Sequence, residues 1–300
     1  MLLKPIFFLA GLLLATPALA VELRTSPAID EVFNKAEVSG TFVLYDASTQ
    51  QWVGHNKKRA ETRFTPASTF KIPNSLIGLH TGSVGGVDEV FYRHDGQPQM
   101  LTAWEKDMNL REAIATSNVK AYQVLARRVG LAPMQANLNA LHYGNRVIGT
   151  SVETFWLDDS LRISAIEQVK FLTRLAQGKL PYPVSLQAEV REIIKLETGT
   201  TWRLYGKTGW AGKHDPGIGW FVGWVEQAGN IYVFALNIDV PRDSEPPALP
   251  TALAKRIEVA KASLAAAGVD FAPNPHTYRL NEMLPSVADK NAPAGSLQTD

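Results

Sequence analysis

The six residues Pro66-Ala67-Ser68-Thr69-Phe70-Lys71 are the stretch on which the interpretation of the whole chain depends. A helix places residues three apart on one face, so Lys71 is predicted to lie about one turn from the Ser68 hydroxyl. Thr65 and Pro66 are typical of an N-cap and a first helical position, which leaves the Ser68 amide without an intrahelical partner. The pair indicates an activated serine, although S-x-x-K also occurs by chance on surface helices.

Segments on both sides of this stretch have the alternating, β-branched and aromatic character of strands. They lie at 40–46, 51–54, 202–206, 218–226 and 231–239. Residues 102–200 instead show apolar spacing near 3.6, which is typical of helices. Because the terminal strand pairs need each other to complete a sheet, the predicted fold class is α+β. We expect a mainly antiparallel sheet built from N- and C-terminal strands, with a helical region inserted between them.

The composition excludes several classes of function. The 300 residues carry a formal net charge of +1, so no field for binding nucleic acid is implied. The chain has no cysteine, which excludes disulfides, thiol catalysis, cysteine metal sites and a lipid-modified cysteine. The six histidines show no metal-binding spacing, so no metal site is predicted.

The first twenty residues have the pattern of a secretory signal peptide. Lys4 supplies a positive charge, residues 6–15 an apolar run, and Ala18-Leu19-Ala20 a cleavage site. The run is short for a membrane span, which needs about 20 residues, and a retained anchor is the alternative. We therefore expect an exported, periplasmic protein without a membrane anchor after cleavage. The predicted division is 1–20 signal peptide, 21–270 single catalytic domain, and 271–300 polar tail containing prolines.

Three further motifs follow Ser68 along the chain. They are Ser117-Asn118-Val119, Tyr143-Gly144-Asn145 and Lys207-Thr208-Gly209. Taken singly, each has an ordinary explanation, because Ser117 fits an N-cap, the second motif a turn, and the third the end of a strand. Their order and combination are the informative feature.

Together with Phe155-Trp156-Leu157, these motifs resemble those of the class D, or oxacillinase-type, serine β-lactamases over about residues 33–268. The resemblance implies a serine β-lactamase/penicillin-binding transpeptidase-like fold. It also implies hydrolysis of the β-lactam amide of penicillin-type antibiotics through an acyl-enzyme on Ser68, and hence β-lactam resistance. Class A enzymes need an E-x-x-x-N glutamate between the second and third motifs, and this chain has none there. A different general base is needed, and Lys71 is the candidate.

Burial of Lys71 among Phe70, Val119 and Trp156 would lower its pKa and favour the neutral amine. The resemblance implies that this amine adds carbon dioxide, from dissolved carbon dioxide or bicarbonate, to become N6-carboxylysine. The donor-only indole N–H of Trp156 suits the resulting anion. The alternative role for Trp156 is a core aromatic. No other cofactor is predicted.

The resemblance assigns the remaining roles. The amides of Ser68 and Trp210 hold the oxyanion, while Ser117 and Lys207 belong to the catalytic set. The substrate-binding candidates are Thr208, Gly209, Arg256, Trp104 and Met100. Arg242 is an alternative to Arg256 for the substrate carboxylate. Met100 and Trp104 fit either an apolar rim or the core.

Two other functions remain open at this point. A β-lactam sensor has similar motifs but stays acylated, and such modules are normally tethered to membrane helices. A D,D-peptidase acting on peptidoglycan is the second. No protein partner is predicted, and the sequence leaves the oligomeric state and the substrate spectrum open.

Overall fold

A computed structural model describes residues 21–241 and 248–269. Within these ranges, seven strands form one sheet in the order β1-β3-β2-β7-β6-β5-β4. They are β1 Leu23–Thr25, β2 Gly40–Asp46, β3 Trp52–His55, β4 Lys195–Thr198, β5 Trp202–Ala211, β6 Gly217–Gln227 and β7 Asn230–Val240. All neighbours pair antiparallel except β1, which is parallel to β3. The predicted α+β architecture, with its helical insertion, is confirmed.

Helices cover both faces of the sheet. Those of the described residues are α1 Pro27–Ala36, α2 Lys57–Glu61, α3 Lys71–His80, α4 Leu110–Ala115, α5 Val119–Val129, α6 Leu131–Leu141, α7 Ala165–Ala176, α8 Val184–Ile193 and α9 Ala248–Ala266, with 3-10 turns at Ala67–Phe70 and Thr102–Trp104. Helices α1 and α9 pack together on one face, and α7 lies against β2, β6 and β7 on the other. The fold therefore has three layers.

The alternation of side chains along β2 explains the two cores. Phe42 and Leu44 pack with Phe33 of α1 and Ile257 of α9, whereas Val43 belongs to the larger cluster on the helical side. All three β2 side chains are at most 3% exposed. A strand with apolar residues at consecutive positions is thus buried on both faces, as a middle layer requires.

The prediction for Lys207-Thr208-Gly209 was wrong in one respect. The expected strand ended at residue 206, but β5 continues to Ala211, and Lys207 pairs with Val222 and Gly209 with Trp220. Two glycines within five residues weaken the strand signal of the sequence. The long partner strand β6 supplies the ladder that the local sequence does not predict. Strand β4 and helix α8 were not predicted either.

The N-cap predicted at Thr65 is also wrong. Pro66 occupies the cap position of the 3-10 turn, without a side-chain cap. The Thr65 hydroxyl instead donates to Asp159 Oδ1 at 2.5 Å, a residue 94 positions later. A tertiary hydrogen bond has replaced the local one.

Several predictions fall outside the described residues. They are the signal peptide at 1–20, the tail at 271–300, and Arg242. The division of the chain into these three parts therefore stays a prediction.

Candidate active site

Ser68 and Lys71 lie side by side where the 3-10 turn runs into α3. The Lys71 side-chain nitrogen, Nζ, lies 2.7 Å from Ser68 Oγ. Ala67, just before the serine, has a φ of 49°, a left-handed conformation uncommon for a residue with a side chain. Its amide donates to the carbonyl of Trp156 at 3.1 Å. Ser68 is half-buried, and Lys71 is only 1% exposed, so solvent reaches the serine but not the lysine.

The surroundings of Lys71 are aromatic and dry. The rings of Phe70 and Trp156 are stacked with centroids 5.6 Å apart, and Lys71 Nζ lies 5.3 Å from the centre of the Tyr122 ring. Val119 begins α5, the helix that carries Tyr122. Burial lowers the pKa of Lys71 from 10.5 to about 7. A large share of Lys71 is therefore a neutral amine at neutral pH.

Trp156 carries an unpaired hydrogen-bond donor. Its side chain is fully buried, and its Nε1 has no partner among the described residues. Leaving a buried donor unpaired costs about 1–3 kcal/mol, so such groups are rare and call for an explanation. An indole N–H can only donate, and an acceptor placed in this pocket would satisfy it.

Tyr143-Gly144-Asn145 braces this region. The Tyr143 hydroxyl donates to Gln168 Oε1 at 3.5 Å, and Gln168 Nε2 donates to the Thr69 hydroxyl at 2.9 Å. Gly144 has a φ of 54°, and a Cβ there would collide with the Arg162 carbonyl. Only glycine therefore fits at this position.

Asn145 fastens the loop that follows Trp156. Its side-chain nitrogen donates to the Ser160 carbonyl at 2.8 Å, and its oxygen accepts from the Arg162 amide at 3.0 Å. The motif thereby holds the segment beside the indole in a fixed position.

Lys207-Thr208-Gly209 packs against the turn that carries Ser68. We call this part of β5 the sheet wall of the site, and the turn with α3 its helical wall. Strand β4 pairs with β5 only as far as Tyr205, and the 3-10 turn bearing Ser68 packs against β5 beyond that point. A Cβ on Gly209 would lie 3.0 Å from the Pro66 carbonyl oxygen and 3.2 Å from the Thr69 amide. A side chain at residue 209 would therefore push the two walls apart. Trp210, the next residue, is 39% exposed.

Lys207 is a second buried lysine. It is 1% exposed, and its Nζ donates to the Thr208 carbonyl at 3.1 Å. Burial, and then the nearby positive charges of Lys71 and Arg256, lower its pKa well below the ordinary value. This wall concentrates cationic groups, which an anion would stabilise.

Arg256 reaches this wall from α9. Its Nη1 donates to the Gly209 carbonyl at 2.8 Å and its Nε to the Leu253 carbonyl at 2.6 Å. Burial lowers its pKa to about 10, which leaves it charged at neutral pH. Gly219 makes room for it, because a Cβ there would lie 2.8 Å from the Arg256 Cδ. The structure brings Arg256 to the third motif, and Arg242 lies outside the described residues.

Ser117 adopts the left-handed conformation, with a φ of 56°. The N-cap of α5 is Asn118, whose side chain accepts from the Ala121 amide, so the N-cap explanation for Ser117 is wrong. Trp104 is 6% exposed and donates to the Thr116 carbonyl at 2.9 Å, beside Ser117. Met100 is 73% exposed. Of the two candidate rim residues, Trp104 is thus packed in the interior and Met100 faces solvent.

Tyr122 and Gln168 were missed by the sequence reasoning. Tyr122 lies three residues after Val119 on the buried face of α5, and that spacing was the available signal. Nothing local marks Gln168, which contacts Thr69 from 99 positions away. Among residues 21–241 and 248–269, no group of three acidic, histidine or cysteine side chains is arranged to hold a metal. No helix in those ranges is long and apolar enough to cross a membrane.

The chain is similar in sequence and in structure to proteins of known family. The family described as Penicillin binding protein transpeptidase domain matches residues 40–261. Beta-lactamase OXA-5 of Pseudomonas aeruginosa is 42% identical over 236 residues, 78% of this chain and 88% of that protein. Beta-lactamase OXA-48 of Klebsiella pneumoniae is 40% identical over 234 residues, 78% and 88% of the two chains. The crystal structure of the class D β-lactamase FUS-1 (OXA-85) from Fusobacterium nucleatum subsp. polymorphum aligns with a TM-score of 0.78 at 44% identity, covering 83% of this chain and all of that one.

Proposed function

Because the chain belongs to the class D β-lactamases, we propose that it hydrolyses the amide bond of penicillin-type β-lactams through an acyl-enzyme on Ser68. The observation that carries the proposal is the 2.7 Å contact between Ser68 Oγ and the Nζ of a fully buried lysine with a pKa of about 7. A serine hydroxyl is a weak nucleophile until an adjacent base accepts its proton. Lys71 is the base within reach.

In the acylation step, Ser68 Oγ attacks the lactam carbonyl carbon while its proton passes to the Lys71 side chain. The oxyanion is held by the amides of Ser68 and Trp210, which belong to the closely packed 3-10 turn and β5. Removal of one such donor typically costs about 100- to 1,000-fold in rate. The carbon–nitrogen bond then breaks, and the proton held by Lys71 passes through the Ser117 hydroxyl to the departing nitrogen, which leaves Lys71 free to act as a base again. Lys207 also belongs to this catalytic set.

In the deacylation step, Lys71 accepts a proton from a water molecule that attacks the ester carbonyl. The ester bond to Ser68 Oγ breaks, the serine regains its proton, and the ring-opened acid leaves. The same base serves both half-reactions, as microscopic reversibility of proton transfer favours. One buried side chain therefore accounts for turnover.

We propose that Lys71 works as N6-carboxylysine, with carbon dioxide or bicarbonate as its source. The carbamate would supply an anionic general base beside Ser68. Two features support it: the lowered pKa of Lys71 makes the amine available for reaction, and the unpaired indole N–H of Trp156 offers a donor. Phe70 and Val119 complete the apolar surroundings. No metal or further cofactor is needed.

For substrate binding, we propose that Thr208, Gly209 and Arg256 hold the carboxylate of the β-lactam. The charged guanidinium of Arg256 lies against the Gly209 carbonyl, at the cationic wall. Arg242 remains the alternative. Met100, exposed at the surface, is the better candidate for an apolar contact with the substrate, and buried Trp104 supports the Ser117 segment.

Intact-mass spectrometry after mixing with benzylpenicillin tests the function. We expect a transient adduct on the wild-type chain, followed by the free protein and a product one water heavier than the substrate. The Ser68→Ala variant should gain no mass. A persistent adduct would instead mean a sensor, and cleavage of a D-Ala-D-Ala peptide at a comparable rate would mean a D,D-peptidase.

We also propose that the protein is exported to the periplasm by residues 1–20 and confers β-lactam resistance there. The charged, apolar and A-x-A segments of that stretch support this. Expression in a periplasm-containing host should give a mature chain beginning at Val21 in the periplasmic fraction. A chain that keeps residues 1–20 in the membrane fraction would indicate a retained anchor.

A further inference from the structure

A cleft of about 520 Å³ lies beside α7, and none of the proposed catalytic or substrate-binding residues lines it. We define this α7 cleft by six of its lining residues, which are Tyr45, Trp52, Glu167, Lys170, Phe171 and Arg174. The volume lies within the range of about 300–1,000 Å³ that is usual for small-molecule sites.

Part of the wall of the α7 cleft is aromatic. Tyr45 and Trp52, on neighbouring strands, place their ring centroids 4.8 Å apart with their planes tilted by 41°. Phe171 forms part of the wall from α7, and its ring makes a T-shaped contact with Tyr143, with centroids 5.1 Å apart. Tyr45 and Trp52 are only partly buried, so an aromatic ligand can contact them.

The α7 cleft also carries positive charge that is not paired with a carboxylate. Lys170 and Arg174 are four residues apart on α7 and therefore lie on one face, where like charges repel. Neither forms an ion pair with any residue that the structure describes; Arg174 donates to the carbonyl of Leu141. Burial lowers the pKa of Arg174, and no carboxylate among the described residues offsets that effect.

Among the described residues that line the cleft, the only carboxylate is already engaged. Glu167 accepts three hydrogen bonds from Arg63, at 2.5, 3.0 and 3.1 Å, and a fourth from the Ser164 amide at 2.9 Å. Burial alone would raise the pKa of Glu167, but these contacts outweigh it and lower the pKa, so the carboxylate stays charged. Since Glu167 is neutralised by Arg63, the cleft retains two uncompensated cations.

A second cleft of similar volume, about 460 Å³, provides a contrast. Three arginines line it, but each has a carboxylate partner. The pairs are Arg59–Asp239, Arg63–Glu167 and Arg162–Asp159. An anion entering that cleft would have to displace existing ion pairs, whereas in the α7 cleft it would meet unpaired cations.

We propose that the α7 cleft is a binding site for a small aromatic carboxylate, whose ring lies against Tyr45 and Trp52 and whose carboxylate meets Lys170 and Arg174. An aromatic ring gains from stacking on partly buried aromatic faces, and a carboxylate gains from charge-assisted hydrogen bonds to a guanidinium. The site is separate from the catalytic cleft and does not depend on the proposed function.

Isothermal titration calorimetry with 2-naphthoate tests the site on the purified enzyme. We expect a dissociation constant on the order of 1 mM, as befits a ligand of this size. Lys170→Gln and Trp52→Leu should each weaken binding by about five-fold or more. The uncharged analogue 2-naphthamide and the non-aromatic cyclohexanecarboxylate should each bind at least about five-fold more weakly than 2-naphthoate, because each lacks one of the two recognised features.

The catalytic cleft also takes carboxylates, so Arg256→Ala is the matched control. It should leave the affinity for 2-naphthoate unchanged, because Arg256 does not line the α7 cleft. Binding that is lost in Arg256→Ala but kept in Lys170→Gln would place the ligand in the catalytic cleft and overturn the proposal. So would equal affinity for 2-naphthamide, or no detectable binding at about 10 mM.

Discussion

The two walls of the candidate active site each bury a lysine, but the residues around the two lysines differ. On the helical wall, Lys71 lies next to Ser68 Oγ and against the Tyr122 ring, and the neighbouring Phe70 stacks on Trp156, whose indole N–H is unpaired. On the sheet wall, Lys207 lies near the charged Arg256, and after burial both Lys71 and Arg256 contribute to lowering its pKa. Burial acts on both lysines, and the neighbours decide what each can do.

The difference assigns separate tasks to the walls. The helical wall favours a neutral amine that can act as a base or bind carbon dioxide, because burial alone lowers the pKa of Lys71. The sheet wall favours a bound anion, because a negative charge there would stabilise the positive charges of Lys207 and Arg256, which otherwise repel each other. If the walls are distinct, substitutions on one should change proton transfer, and substitutions on the other should change substrate affinity.

The largest effect is expected from Lys71→Ala. Loss of the general base should reduce kcat/KM for nitrocefin by about 1,000-fold or more, and added bicarbonate should not restore it. Lys35→Ala, at an exposed lysine of α1, is the control and should match wild type. Lys207→Ala should lose activity yet keep its response to bicarbonate. Activity of Lys71→Ala within about ten-fold of wild type would remove the lysine from its role.

The next effect concerns stability and pH. The pKa of Lys71 is about 7 when folded and 10.5 as the ordinary value, so between these pH values the unfolded chain binds more protons and stability rises with pH. In buffer free of carbon dioxide, the free energy of unfolding of Lys71→Met should exceed that of wild type by a few kcal/mol at pH 7. The reason is that a tenfold change in proton affinity corresponds to about 1.4 kcal/mol. The gain should vanish above pH 10.5.

Urea unfolding at several pH values measures this difference. Lys207 stays in both proteins and contributes a slope of the same sign, but a smaller one in Lys71→Met, because the positive charge of Lys71 also lowers the pKa of Lys207. The difference between the two curves therefore reports Lys71 together with its effect on Lys207. Parallel curves for wild type and Lys71→Met would mean that Lys71 keeps its proton in the folded protein.

A smaller effect is expected from Arg256→Ala on the sheet wall. Hydrogen bonds to charged groups contribute about 1.5–3 kcal/mol, so KM for a carboxylate-bearing β-lactam should rise about 10- to 100-fold with a smaller change in kcat. Arg256→Lys should recover part of the affinity, and Arg242→Ala should resemble wild type. The reverse pattern for the two arginines would assign the substrate carboxylate to Arg242.

The smallest effect is expected from Trp156→Phe, which keeps an aromatic ring and removes the N–H. Turnover should fall about ten-fold in ordinary buffer and recover as bicarbonate is added. Stability should change little, because removal of an unpaired buried donor offsets some of the lost packing. The measurement is a bicarbonate titration of nitrocefin turnover.

Trp220→Phe is the matched control for this prediction. Trp220 is equally buried, but its N–H is satisfied by the Thr65 carbonyl at 2.9 Å. That variant should lose about 1 kcal/mol of stability and keep the wild-type response to bicarbonate. An equal response in both variants would mean that the indole N–H of Trp156 does not hold the carbamate.

The local parts of the fold were predictable because their signals are local. Period-2 and period-3.6 patterns predicted the hairpin of β2 and β3, the strands β6 and β7, and most of the helices. The patterns failed at β5 beyond residue 206, where glycines weaken the strand signal and β6 provides the pairing. They failed again at Thr65, whose hydroxyl bonds to Asp159 instead of capping its own helix.

The sequence by itself determined the α+β class, the order of the motifs and the spacing that sets Ser68 beside Lys71, because strand alternation and the helical turn are short-range properties. Only the tertiary structure decided the chemistry of Lys71. Tyr122, 51 positions along the chain, lies against Lys71, and Trp156, 85 positions along the chain, stacks on the neighbouring Phe70. A pKa depends on the surrounding solvent and charge. Segments that distant along the chain exclude solvent and bring charges near Lys71 only once the chain has folded.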